Sequence, residues 1–162
     1  MTTNERDQLL IVPRTGYDPV IARWLWQLTD LRQRTLAIVA GMAESLLEWR
    51  PDDAANSIGT LLYHIVAVEL DWLYVEILER PDYGAAVAGL LPYDMRDAAG
   101  RLTSVYGESL QQHLARMAAS RQLLLDELRP MTAADFYRVR CLEPYDVTPE
   151  WVLHPKAHFV FS

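Results

Sequence analysis

Three long stretches of this chain place apolar residues at three- and four-residue steps, and only short patches alternate as strands do. Ile21, Trp24, Leu25, Leu28, Leu31, Thr35, Ile38 and Val39 form one stripe. Leu61, His64, Ile65, Val68, Trp72, Val75 and Ile77 or Leu78 form a second, and Leu110, Leu114, Met117, Arg121, Leu124 and Leu128 a third. A step of three and four keeps side chains on one face of a helix, so each stretch has to bury one side against the others. The expected class is all-α, with a single domain over residues 1–162: no internal repeat or linker divides the chain, and its length suffices for one core. With 51% hydrophobic residues and mixed charge, disorder is excluded for most of it.

Local signals set the boundaries. Asp18-Pro19 starts the first helix with a cap and a first-turn proline, and Gly41 follows its end. A short turn over Ala43 to Leu47 leads to Asn56 or Ser57, which opens a second helix running to about Leu78. Glu69, Glu76 and Glu79 are expected on its outer side. Residues 81 to about 106 read as a long crossover with a short helix around Tyr93 to Ala99. The third long helix covers about Glu108 to Arg129, ended by Pro130, and a short turn follows at Thr132 to Phe136. Thr148-Pro149-Glu150 is a strong helix start, but Pro155 lies inside the segment it opens, where a proline costs about 3 kcal/mol. The fourth helix is therefore expected to be short or disrupted.

Composition narrows function. Fifteen Lys and Arg against 22 Asp and Glu give a net charge of -7, which argues against nucleic acid as a partner. The one cysteine, Cys141, forms no internal disulfide and fits a reducing, cytoplasmic setting. No apolar run approaches the roughly 18 residues of a membrane span, so no membrane association is expected. No phosphate-binding glycine loop, nucleophile elbow or paired-cysteine motif occurs.

The histidines carry the chemistry. His64 lies on the apolar side of the second stretch: either a core histidine with a hydrogen-bond partner, or a metal ligand pointing into a bundle. His154 and His158 are four apart, the spacing that puts two imidazoles on one helical face. With His64 they make three neutral nitrogens, a set that leaves a divalent ion an open position. His113, among Gln111, Gln112 and Arg116, is expected in solvent. Cys141, with arginines nearby to lower its pKa, is either a nucleophile or a bystander, and a bystander is expected. Asp71, two turns beyond His64, is either a pocket acid or a solvated one. Trp24, Trp26, Trp72 and Trp151 are expected mostly in the core.

The segment Asn56-Ser57-Ile58-Gly59-Thr60-Leu61-Leu62-Tyr63-His64, continuing through Glu69-Leu70-Asp71-Trp72, resembles the second helix of the DinB/YfiT-like superfamily. Leu46 to Pro51 resembles that family's approach loop, and Thr148 to His154 the start of its fourth helix. The resemblance implies a four-helix bundle with up-down-down-up connectivity. It also implies a divalent metal, nickel or zinc, held by three histidines: His64, His154 and His158. Its active members are mostly thiol-dependent transferases or isomerases, so a low-molecular-weight thiol is an implied cofactor, and a homodimer an implied assembly. The alternative is a bundle that has lost its metal site and serves as a structural or small-molecule-binding domain. The usual continuation after the histidine pair, with Arg-Gly-Gln, is absent after Leu153, as expected of a truncated or frameshifted ending. In a second register His158 takes the first position and Ser162 the second. A shortened fourth helix would leave an apolar groove to be covered by a partner subunit, the crossover, or Phe159-Val160-Phe161 folded back.

Overall fold

The computed structural model describes residues 10–154. Three long helices dominate: α1 (Pro19–Val39), α2 (Ile58–Asp71) and α4 (Leu110–Leu128). Between the last two lies α3 (Gly84–Ala88); after them come α5 (Ala133–Tyr137), a two-residue antiparallel ladder of β1 (Arg140–Cys141) and β2 (Asp146–Val147), and α6 (Pro149–Leu153). The class is all-α, and the ladder is the only sheet among the described residues.

The starts form for the reasons legible in the residues. Asp18 caps α1 by accepting from the Val20 amide, and its other oxygen accepts from the Ala133 amide, so one carboxylate holds the starts of α1 and α5 together. Ser57 caps α2, while Ser109 and Thr132 form reciprocal capping boxes at α4 and α5. Gly41, just past α1, takes φ +73°, the left-handed conformation that ends helices.

Cross-helix contacts give the directions. Gly59 lies against His113, Glu69 meets Ser120 and Arg121, and Arg80 reaches Glu127, so α2 and α4 run parallel. Tyr17 stacks under Arg129 and Arg32 reaches the Met117 carbonyl, so α1 runs against both. Parallel neighbours need a long connection, and the crossover is tied across α2. Tyr63 Oη donates to the Tyr93 carbonyl at 2.6 Å and Tyr83 Oη to Asp71 at 2.6 Å, while Thr60 Oγ1 accepts from the Val105 amide at 3.1 Å. The expected helix at Tyr93 to Ala99 is not there. Asp97 instead accepts from the Ala99 and Arg101 amides, a side-chain turn that competes with helical pairing. The helical turn lies earlier, at α3.

The groove beside a shortened fourth helix is covered in part. Phe136, Val147, Val152 and Leu153, from α5, β2 and α6, are buried in the main core. In the far half of α1 Val39 is buried, but among the described residues Ile38, expected in the core, is left 82% exposed, with Leu31 and Leu36 exposed beside it. Trp24, Trp26 and Trp72 are half-buried, but Trp151 lies largely in solvent, a correction to its expected core place. Phe159, Val160 and Phe161 lie outside the described residues.

α2 continues without a break into a π-helical turn over Trp72–Ile77. By length and apolarity, Ile58–Ile77 could cross a membrane, contrary to expectation from its sequence, but 56% of it is buried within this fold. That is the condition of a bundle's central helix.

Candidate functional site

His64 and His154 line one cavity of about 340 Å³ between α2, the crossover and α6. Val68, Trp72, Glu76, Met95, Arg96, Tyr145, Trp151 and Val152 complete its wall. His64 is buried, and its Nδ1 has no hydrogen-bond partner. Burial, and secondarily the positive charge of Arg96, hold its pKa below the usual 6.5, so the imidazole is neutral at neutral pH. A neutral ring with an unpaired nitrogen is the form that ligates a cation. Among the described residues Nδ1 lacks the hydrogen-bond partner that the core-histidine reading expects.

His154 stands just past α6, with φ -60° and ψ 117°, and its ring meets Trp24 edge-on at 6.0 Å. The residue before a proline is driven out of the helical region, and Pro155 follows. The short fourth helix is thus as expected, but His154 is not helical, so the geometry that recommended the four-residue pair does not operate here. His158 lies outside the described residues. Among the described residues no group of three or more His, Cys, Asp or Glu is placed to hold a metal ion. The fit to a metal is therefore partial: two imidazoles on one wall, one with an orphaned nitrogen.

Glu76 was expected outside and is inside. An α-helix turns 100° per residue, so twelve residues past His64 is about 120° away from it. The π turn winds less per residue and brings Glu76 back to the face of His64, Val68 and Trp72. Burial raises the Glu76 carboxyl above its usual range, partly offset by the Tyr145 hydroxyl, which donates to it at 2.6 Å. The same bond pushes the Tyr145 phenol up to about 12. Nothing in local spacing announces a π turn, so this residue was missed.

Two other expectations, on Glu69 and His113, need correcting. Glu69 does not face solvent: it accepts from Arg32, Ser120 and Arg121 at the junction of α1, α2 and α4. His113 is buried, with Nε2 3.7 Å from Glu108 and only the bare Cα of Gly59 making room for it. Helix α4 is more enclosed than its polar sequence suggests, because α2 and the crossover both lie on it. Cys141 is exposed but not activated: Asp146, its ladder partner, accepts from the thiol and raises its pKa, outweighing Arg138. Asp71 is a pocket acid, lining a separate cavity of about 730 Å³ under the crossover with Tyr83.

Comparison with curated proteins finds no match. A family model described as the DinB superfamily matches residues 27–156, most of the chain, with α2 and α4 entire and the greater part of α1. The chain belongs to the DinB superfamily.

Proposed function

We propose that this protein is a metal-dependent enzyme whose reaction takes place in the cavity between α2 and α6. The observation that carries the reading is His64, a buried neutral imidazole with no partner at Nδ1, on a wall shared with His154. His64, His154 and His158 would hold a divalent ion, nickel or zinc. Such an ion, when bound, supplies Lewis acidity and lowers the pKa of a coordinated water or thiol. The reaction class this suits is S-transfer from a low-molecular-weight thiol to a small electrophile.

The chain's own side chains supply the rest. Trp72, Trp151, Met95 and Val68 exclude water and grip the apolar part of a substrate. Arg96 gives the wall a fixed positive charge that favours an anionic group. Glu76, with its raised pKa and its bond from Tyr145, can hold a proton at its carboxyl and exchange it within the cavity. A homodimer in a cytoplasmic setting is part of the proposal, the dimer supported by the exposed Leu31, Leu36 and Ile38 on α1.

A second reading, a bundle without a working site, is favoured by one observation: only two histidines meet at the cavity among the described residues. Metal analysis of untagged protein, with His64→Ala, His154→Ala and His158→Ala, separates the two. Near one divalent ion per chain, lost in each variant, is the expected result. No ion after loading with zinc or nickel would leave the second reading standing.

A further inference from the structure

We propose that a second cavity, between α1 and α4, is a binding site for a small organic carboxylate with an apolar body. It measures about 300 Å³ and shares no lining residue with the His64 cavity. Three arginines line it: Arg14 before α1, Arg32 on α1 and Arg121 on α4. No acid lines it.

The charges around it do not balance. The one acid in contact is Glu69, whose Oε2 accepts from Arg32 at 2.9 Å and from Arg121 at 2.6 Å, while Oε1 accepts from Ser120 at 2.9 Å. Glu69 thus accepts at both oxygens and cancels one of the two inner cations. Arg32 spends its other terminal nitrogen on the Met117 carbonyl at 2.6 Å. Arg121 has no such outlet: its Nε and Nη1 are buried and have no hydrogen-bond partner among the described residues. Those atoms carry three of the five N–H donors of a guanidinium. Buried donors are almost always paired, and donors on a charged group are the costliest to leave alone. Arg14, at the exposed rim, has no ion pair or hydrogen bond among the described residues.

The rest of the wall says what accompanies the missing acceptor. Leu36, Leu114 and Leu125 face the same space, so an inorganic anion would leave most of it unused. One uncancelled inner charge calls for a monoanion, and a planar carboxylate matches guanidinium geometry. Such a ligand places its oxygens between Arg121 and Arg14, the Arg121 head turning toward them, and lays its apolar body on the leucines. The cavity's size, at the lower end for ligand sites, limits that body to a short chain or single ring.

The test is calorimetric titration of the whole protein with benzoate and hexanoate at matched ionic strength. Benzyl alcohol serves as an uncharged control and inorganic phosphate as an anion without an apolar body. The proposal expects saturable binding of at least one carboxylate, one per chain. Both controls should bind about tenfold or more weakly. Arg121→Met should weaken the carboxylate by about tenfold or more. Arg14→Gln, at an exposed position that folding does not need, should weaken it by a smaller, measurable factor. That variant keeps the test decisive if Arg121→Met does not fold. His64→Ala should leave carboxylate binding unchanged, which separates this result from the fate of the metal reading. Absence of saturable carboxylate binding, or equal affinity in the parent and Arg14→Gln, overturns the proposal, as does phosphate binding tighter than both carboxylates.

Discussion

Two buried polar groups on α2 stand five residues apart in opposite conditions. Glu69 faces α1 and α4 and receives three hydrogen bonds, two of them from arginines. His64 faces the cavity beside α6, and its Nδ1 receives none. Both are removed from water, so the difference lies in what each is for. A carboxylate with both oxygens engaged, one of them twice, ties three helices and has little left to offer a ligand. An imidazole with an idle nitrogen contributes nothing to folding through that atom and is free to bind something else. The unsatisfied member of such a pair is where function is to be sought.

The contrast is most easily broken at Glu69. Glu69→Ala leaves Arg32 and Arg121 facing each other without a counter-charge, and removing one member of a buried ion pair costs about 3–5 kcal/mol. Urea denaturation should show a loss of that order, with Glu69→Gln in between. A loss below about 1 kcal/mol, the range of exposed pairs, would mean the arginines turn out to solvent.

Next in size is Gly59. A Cβ there would sit 3.2 Å from His113 Nε2 and 3.3 Å from the Leu47 carbonyl oxygen, and the latter is backbone already bonded to the Gly59 amide. Gly59→Ala should cost about 1–3 kcal/mol as an overpacking change. His113→Ala made in the same chain should recover part of it, because it frees one of the two contacts. Without that coupling, Leu47 alone sets the limit.

At His64 the expected cost nearly vanishes. Replacing a group with an unpaired buried nitrogen by an apolar one of similar size gives up no hydrogen bond at that atom, so His64→Leu in metal-free protein should change stability by less than about 1 kcal/mol. The same variant should lose all metal. A large stability loss in metal-free His64→Leu would show that Nδ1 has a structural partner after all, and the contrast with Glu69 would fail.

How much of this was legible in the sequence follows from the range of the forces involved. The starts of α1, α2, α4, α5 and α6 are written in residues that act over three or four positions, Asp18, Ser57, Ser109, Thr132 and Thr148, and each caps its helix. The early end of α6 was legible too, because Pro155 acts on its immediate neighbour. His64 was legible as a polar residue in an apolar stripe. Glu76 was not, because a π turn moves it by changing the helical period itself. Glu69 and His113 were misplaced for another reason. Each is buried by partners 51 to 54 positions away in the chain: Arg121 and Ser120 for Glu69, Gly59 for His113. The exposure of Ile38 belongs to the same class, since it depends on how far the short elements α5 and α6 extend along α1.

The smallest effect concerns pH and sharpens the comparison of buried imidazoles. Burial, aided by Arg116 and opposed by Glu108 and Glu44, holds the folded His113 pKa below 6.5. The unfolded chain therefore takes up its proton first as pH falls. The contribution is fully present above about pH 6.5 and is lost progressively below it, until the folded imidazole also protonates. His64 adds a loss of the same sign. Glu76 works the other way at lower pH, because its raised pKa lets the folded form protonate first. Urea midpoints should fall modestly between pH 7.5 and pH 5, and His113→Asn should flatten that slope. Glu108 and Arg116 pair through two hydrogen bonds whatever the imidazole does. An unchanged slope in His113→Asn would assign the pH dependence to His64 alone, and the site histidine would then be the more buried of the two in electrostatic terms.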